Sequence, residues 1–167
     1  MGFCCTLERP SSSSLTSGAP ITLEVEDDFE SLVMAACGML GDTDCRFHIQ
    51  GFGSLEWPVD VAYDLSAFIE QLPDLIARIR MQSHAELDMY SQGIERTLEF
   101  TPKGDLVEIR CLSRTDWVPK PSIESVSRKE LEKMLSKLAM DFAVSLAVIG
   151  SPIAQGQPFS SWASGNA

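Results

Sequence analysis

Hydrophobic residues recur along this chain with two different periods, and the changes of period mark out its elements. Ile21, Leu23 and Val25 alternate with Thr22, Glu24 and Glu26, which predicts a strand. Asp27 or Asp28 then stands where a helix cap is needed, ahead of Phe29, Leu32, Val33, Ala36 and Leu40 at helical spacing, with Gly41 as the stop. Cys45, Phe47 and Ile49 return to alternation, and after the turn-like Gly51-Phe52-Gly53-Ser54 so do Val59, Val61 and Tyr63. Asp64 is placed to cap a second helix running to about Arg80, with Leu65, Phe68, Ile69, Leu72, Ile76 and Ile79 as its apolar stripe. Pro73 lacks an N–H and is expected to kink or split that helix.

Strands are predicted next over residues 86–90, 94–101 and 106–113, with Thr101-Pro102-Lys103-Gly104 as the hairpin connection. On the last of these, Val107, Ile109 and Cys111 face inward while Glu108 and Arg110 face out. Trp117-Val118-Pro119-Lys120-Pro121 forms an extended connector. Ser127 and Glu130 then make a capping box ahead of Leu131, Met134, Leu135, Leu138, Phe142, Leu146 and Ile149, and Gly150 and Pro152 end this third helix.

Strands joined by short turns pair antiparallel, so the predicted class is α+β: an antiparallel sheet packed on one face by two or three helices. Residues 1–19, with Pro10, a Ser11–Ser14 run and Pro20 just beyond, read as a flexible leader. Residues 20–150 read as a single domain. Residues 151–167 form a polar tail whose Phe159 and Trp162 could tack it onto that domain.

Composition changes this picture in one respect. The chain has 167 residues, 44% of them hydrophobic and 22% charged, which suits one globular core. Its 24 acids against 13 bases leave a net charge of −11. Phosphate backbones need clustered bases, so a nucleic-acid partner is not expected. The excess acid either favours a basic protein partner or serves solubility alone. No basic segment and apolar core follow Met1, so no secretory signal is expected, and no apolar run approaches a membrane span. The five cysteines lack zinc-ligand spacing; reduced thiols in a cytoplasmic protein are the simplest account, with Cys111 packed as a small apolar side chain.

Catalytic signatures fail in turn. His48 and His84 are the only histidines, and neither lies in a signature around a nucleophile. The carboxylates Glu86 and Asp88 share a strand face, as do Glu95 and Glu99 if register holds, but a solvated sheet edge explains such pairs equally. No metal or cofactor motif is present, so no catalytic residue and no cofactor is assigned. Trp57 and Trp117 read as core-edge residues or as interface anchors. Met1-Gly2-Phe3-Cys4-Cys5-Thr6 fits the acceptor pattern for N-myristoylation at Gly2 with thiols for palmitoylation at Cys4 and Cys5, the one route to a membrane.

From Trp57 to Phe142 the layout resembles bacterial immunity proteins of polymorphic toxin systems. The resemblance lies in the Asp64-Leu65-Ser66-Ala67-Phe68-Ile69 helix start, the strand-rich middle through Gly93-Ile94-Glu95-Arg96-Thr97-Leu98-Glu99-Phe100, the Pro102-Lys103-Gly104-Asp105 turn and the terminal amphipathic helix. It implies a small cytoplasmic protein, not an enzyme, that neutralises a cognate toxin by covering its active site with an acidic surface. Charge density places two candidate contact sets: Glu24, Glu26, Asp27, Asp28 and Glu30 near the first helix, and Glu86, Asp88, Glu95 and Glu99 on the strands. An acidic secretion chaperone for an effector protein, or an enzyme of unrecognised type, are the alternatives.

Overall fold

A computed structural model describes residues 2–11 and 28–167. The order of elements is β1 (Cys4–Glu8), α1 (Phe29–Gly41), β2 (Arg46–Gln50), a π-helical turn (Val61–Leu65), α2 (Ser66–Arg80), β3 (Ala85–Met89), β4 (Arg96–Lys103), β5 (Leu106–Ser113), β6 (Ile123–Ser127), α3 (Arg128–Val148), a 3-10 turn (Pro152–Gln155) and α4 (Phe159–Ala163). The class is α+β with wholly antiparallel pairing: β1 pairs with β2, and β3-β4-β5-β6 form a four-stranded meander.

Period 2 decides which side of the meander is buried. Leu87, Met89, Leu98, Phe100, Val107, Ile109 and Cys111 line its inner face, while Glu86, Glu108, Arg110 and Leu112 point outward. All six stripe residues expected on α2 are buried, as are Leu131, Leu135, Leu138, Phe142 and Leu146 on α3. Ser127 caps α3 by accepting from the Glu130 N–H at 3.4 Å. The helix α2 runs unbroken through Pro73, which stands on its exposed side.

Several expectations need correction. The strand predicted over 21–26 lies outside the described residues, and so do residues 12–19 of the leader. The described part of that leader is no loose arm. Cys4–Glu8 pairs along its whole length with Arg46–Gln50, and Phe3, Cys5 and Leu7 are buried. The alternation Phe3, Cys5, Leu7 is a strand signal, overshadowed in the sequence by the serine run that follows. Phe3 also joins the two sheets, its ring 6.1 Å from Phe52 and 6.3 Å from Phe100. Arg9 reaches Asp141 of α3 through Nε at 2.9 Å and Nη2 at 2.8 Å, and with Lys137 it compensates that buried carboxylate.

The run Val59–Tyr63, predicted as a strand, leads instead into the π-helical turn. Asp60 accepts there from the N–H groups of Tyr63 and Asp64, a local bond that outcompetes a ladder. Tyr63 is exposed. The hairpin turn narrows to Gly104-Asp105, with Pro102 inside β4 opposite Val107 and Gly104 at φ +65°. Between the expected connector and α3 the chain forms β6, a strand not among those predicted. In the tail, Phe159 and Trp162 are buried in α4 against Phe29 and Phe142, so the chain from 151 onward adds to the core.

Candidate functional site

Three elements bring acids together around one tyrosine. Asp28 caps α1 by accepting the Ser31 N–H at 2.8 Å, and that bond, aided by the Ser31 hydroxyl, holds its carboxyl below the ordinary carboxylate range. The fully exposed Asp28 is thereby a structural cap. Glu30 follows in the first turn, where the helix dipole favours a negative charge. On α2, Gln71 lies along the open edge of β3 and bonds the Asp88 backbone twice, its Nε2 donating to the carbonyl and its Oε1 accepting from the N–H, both at 2.9 Å. This side-chain amide blunts an edge strand that would otherwise pair with another chain.

Docking α2 against β3 sets Glu70 beside Tyr90, whose hydroxyl donates to Glu70 Oε1 at 2.7 Å. Partial burial of the phenol, the bond to Glu70 and the charges of Glu70, Glu30 and Asp88 push its pKa up to about 12. Tyr90 remains 53% exposed, so an aromatic ring open to solvent is bonded to one carboxylate and feels the charge of two more, from α1 and β3. Glu30 and Asp88, one from each expected acidic set, both lie near enough for their charge to act on the Tyr90 phenol. Glu24, Glu26 and Asp27 lie outside the described residues. Glu70 has no sequence signal: it stands 20 residues from Tyr90, on the polar side of α2, with nothing local to link them.

The rest of the strand set behaves differently. Glu86 stands directly across from Glu99, a repulsive placement offset by His84 at 3.6 Å from Glu86 and by Arg110 at 3.8 Å from Glu99. Arg114 bridges the outer face, binding Asp88 at 2.6 Å and donating to Thr97. Exposed pairs of this kind contribute only about 0–1 kcal/mol each, but they make that face mixed in charge. Glu95 does not share a face with Glu99. It precedes β4 at φ +47° and turns its carboxylate back to the Gly93 N–H.

The candidates for nucleophilic or acid–base chemistry are engaged elsewhere or inaccessible. Both ring nitrogens of His48 meet carboxylates, Nδ1 with Glu56 at 3.0 Å and Nε2 with Glu8 at 3.1 Å. Cys5, Cys37, Cys45 and Cys111 are buried, and burial drives their thiols upward, to about 12 for Cys45 and about 11 for Cys111. The nucleophilic form of a cysteine is the thiolate, so these four are poor nucleophiles near neutral pH. Burial also corrects the lipidation expectation at Cys5, which sits in β1 at 2% exposure; Gly2 is exposed and Cys4 half-buried. In the folded protein iodoacetamide is expected to label Cys4 alone, with the other four reacting only in denaturant, as intact-mass spectrometry would read. Rapid native labelling of Cys5 would contradict the strand. Among the described residues no group of His, Cys, Asp and Glu could hold a metal, and no helix is long and apolar enough to cross a membrane.

One further arrangement had no sequence signal. Arg96 opens β4 on the inner face and is 4% exposed. Its guanidinium carbon lies 4.3 Å from the ring centre of Trp57 and 3.6 Å from that of Trp117. Trp57 comes from the loop after β2 and Trp117 from the connector before β6. Two contacts are pinned by glycines here: a Cβ on Gly53 would lie 2.1 Å from the Lys120 carbonyl oxygen, and one on Gly51 2.9 Å from the Phe3 Cα. Each cation–π contact is worth about 0.5–2 kcal/mol, which offsets part of the cost of burying the charge. Comparison with protein-family models, with curated proteins and with solved structures finds no match to this chain.

Proposed function

We propose that this chain is a non-catalytic bacterial immunity protein of the cytoplasm, which docks a basic toxin against the acidic face around Tyr90 and so covers the toxin's active site. The observation that carries this reading is the half-exposed Tyr90 hydrogen-bonded to Glu70, with the charges of Glu30 and Asp88 close enough to act on its phenol. Tyrosine is favoured at interface centres because its ring buries much area at little entropic cost while its hydroxyl keeps a hydrogen bond. Surrounding carboxylates attract a basic surface from about a Debye length away, near 10 Å at 0.1 M salt. The net charge of −11 adds a long-range field of the same sign.

The test is protection of growth. A toxin-like polypeptide encoded beside this chain would be expressed in bacteria with the wild-type chain or with the triple variant Glu30→Lys, Glu70→Lys, Asp88→Lys. The wild type is expected to protect. The variant is expected to associate on the order of 10–100-fold more slowly at low salt, with the gap closing as salt rises. Failure of the wild type to protect removes the immunity reading. Protection with kinetics untouched by the reversals moves the contact to another face.

A second reading, the secretion chaperone, takes support from one feature. A groove of about 350 Å³ lies between β1 and α3, with Phe3, Cys5, Val126, Met134 and Leu138 among its lining residues. The outward-pointing Cys5 N–H donates there to the Met134 sulfur at 3.3 Å, a weak acceptor. Obligate dimerisation in solution, with binding that ignores salt, would favour this reading over the first.

A further inference from the structure

With nearly two acids for every base in its sequence, this protein places Arg96 under cover and pairs it with no acid among the described residues. Glu95 turns to the Gly93 N–H and Asp88 holds Arg114. Glu124 accepts the Phe52 N–H through Oε1 at 2.7 Å, and its buried Oε2 makes no hydrogen bond to Arg96 or to any other group among the described residues. Nε and Nη1 of Arg96 are sealed from solvent and donate to no group among the described residues. The two indoles lie over the guanidinium. Its N–H groups lie in its own plane, so stacking leaves their hydrogen-bonding capacity unused. An arginine with occupied faces and unused donors is organised for an acceptor arriving in its plane, in surroundings where water competes poorly.

We propose that Arg96, held between Trp57 and Trp117, is a binding site for a carboxylate side chain presented by an acidic, apolar-flanked segment of a partner protein. A single cation matches a single negative charge, whereas a phosphate dianion would bring a second charge toward a protein already at −11. The buried, unused Nε–H and Nη1–H donors each suit a charged carboxylate oxygen, which forms a stronger bond than a neutral acceptor. The flanking preference comes from the loops that carry the tryptophans. They are tied by the Lys120 N–H donating to the Phe52 carbonyl at 2.9 Å, and they expose Leu55 at 81% and Val118 at 62%. Arginine and tryptophan are also the residue types that dominate interface hot spots. Access requires Trp117, the half-buried member of the pair, to shift outward. This site does not rest on the acidic group around Tyr90.

The full chain, labelled with nitrogen-15 and carbon-13, would be titrated with acetyl-Leu-Asp-Val-amide while the Nε–Hε resonance of Arg96 and the tryptophan emission are followed. Through-bond correlation to the backbone assigns that resonance, and its loss in Arg96→Lys confirms the assignment. The expected result is a saturable shift of the Arg96 signal together with the emission change. Binding of acetyl-Gly-Asp-Gly-amide is expected to be weaker by about three-fold or more, from lost apolar contact. Binding to Arg96→Lys is expected to be weaker by on the order of ten-fold, because a point charge replaces the directed donors of the guanidinium. An Arg96 resonance that ignores the peptide, or moves equally with sodium chloride at matched ionic strength, overturns the site. Inorganic phosphate binding more tightly than either peptide overturns the carboxylate assignment. The wild-type titration decides between these outcomes even if Arg96→Lys does not fold.

Discussion

Deleting residues 1–11 is expected to abolish cooperative folding. The segment looks dispensable in sequence, yet it supplies Phe3 and Leu7 at 6% and 5% exposure. Burying such side chains stabilises a fold by roughly 1.5–3 kcal/mol each. The deletion also removes the partner strand of β2 and the Arg9 contacts to Asp141, leaving that buried carboxylate with Lys137 alone. Breaking a buried charge cluster commonly costs several kcal/mol more. Together these losses approach the roughly 5–15 kcal/mol that holds a typical domain folded. Thermal unfolding followed by circular dichroism is the measurement. A truncated chain that melts within a degree or two of the intact protein would show that β1 contributes nothing to the core.

Phe142→Ala is expected to lower stability by about 3–5 kcal/mol, the range for removing a large aromatic from a tight core. Phe142 is fully buried at the middle of α3 and packs 5.9 Å from Phe159, which stacks in turn on Phe29. One side chain therefore joins α3 to α4 and to the first turn of α1. The cavity left by alanine cannot close without moving three elements. For a chain of this size each kcal/mol corresponds to about 2–4 °C, so the melting midpoint should fall by roughly 6–20 °C. Urea titration would show the midpoint falling with an unchanged slope. A loss under about half a kcal/mol would mean that this face is not core.

The elements with a long period were legible from residues alone. The helices α2 and α3 carry apolar stripes that admit one buried face, and the Ser127 cap with its Glu130 partner marks where α3 begins. The alternation in β5 fixed which of its residues face inward. These features are local: a side chain's direction follows from its position in the element, whatever the element packs on.

What the sequence could not decide were matters of contact between distant segments. Phe3, Cys5 and Leu7 form too short a pattern to be told from a loop until β2 is there to pair with them. The acids were countable, but their grouping around Tyr90 follows from docking α2 along β3. The strand acids Asp88, Glu86 and Glu99 each meet a base, Arg114, His84 and Arg110 in turn, which no local pattern announced. Arg96 falls between Ile94 and Leu98 on the apolar side of its strand, with nothing local to show what a charged group meets there. Its burial depends on two tryptophans that meet from loops sixty residues apart, drawn there by the closeness of Gly53 and Lys120. Composition and period determine which residues prefer to be buried. Only the tertiary fold determines which charged groups lose their water, and what, if anything, replaces it.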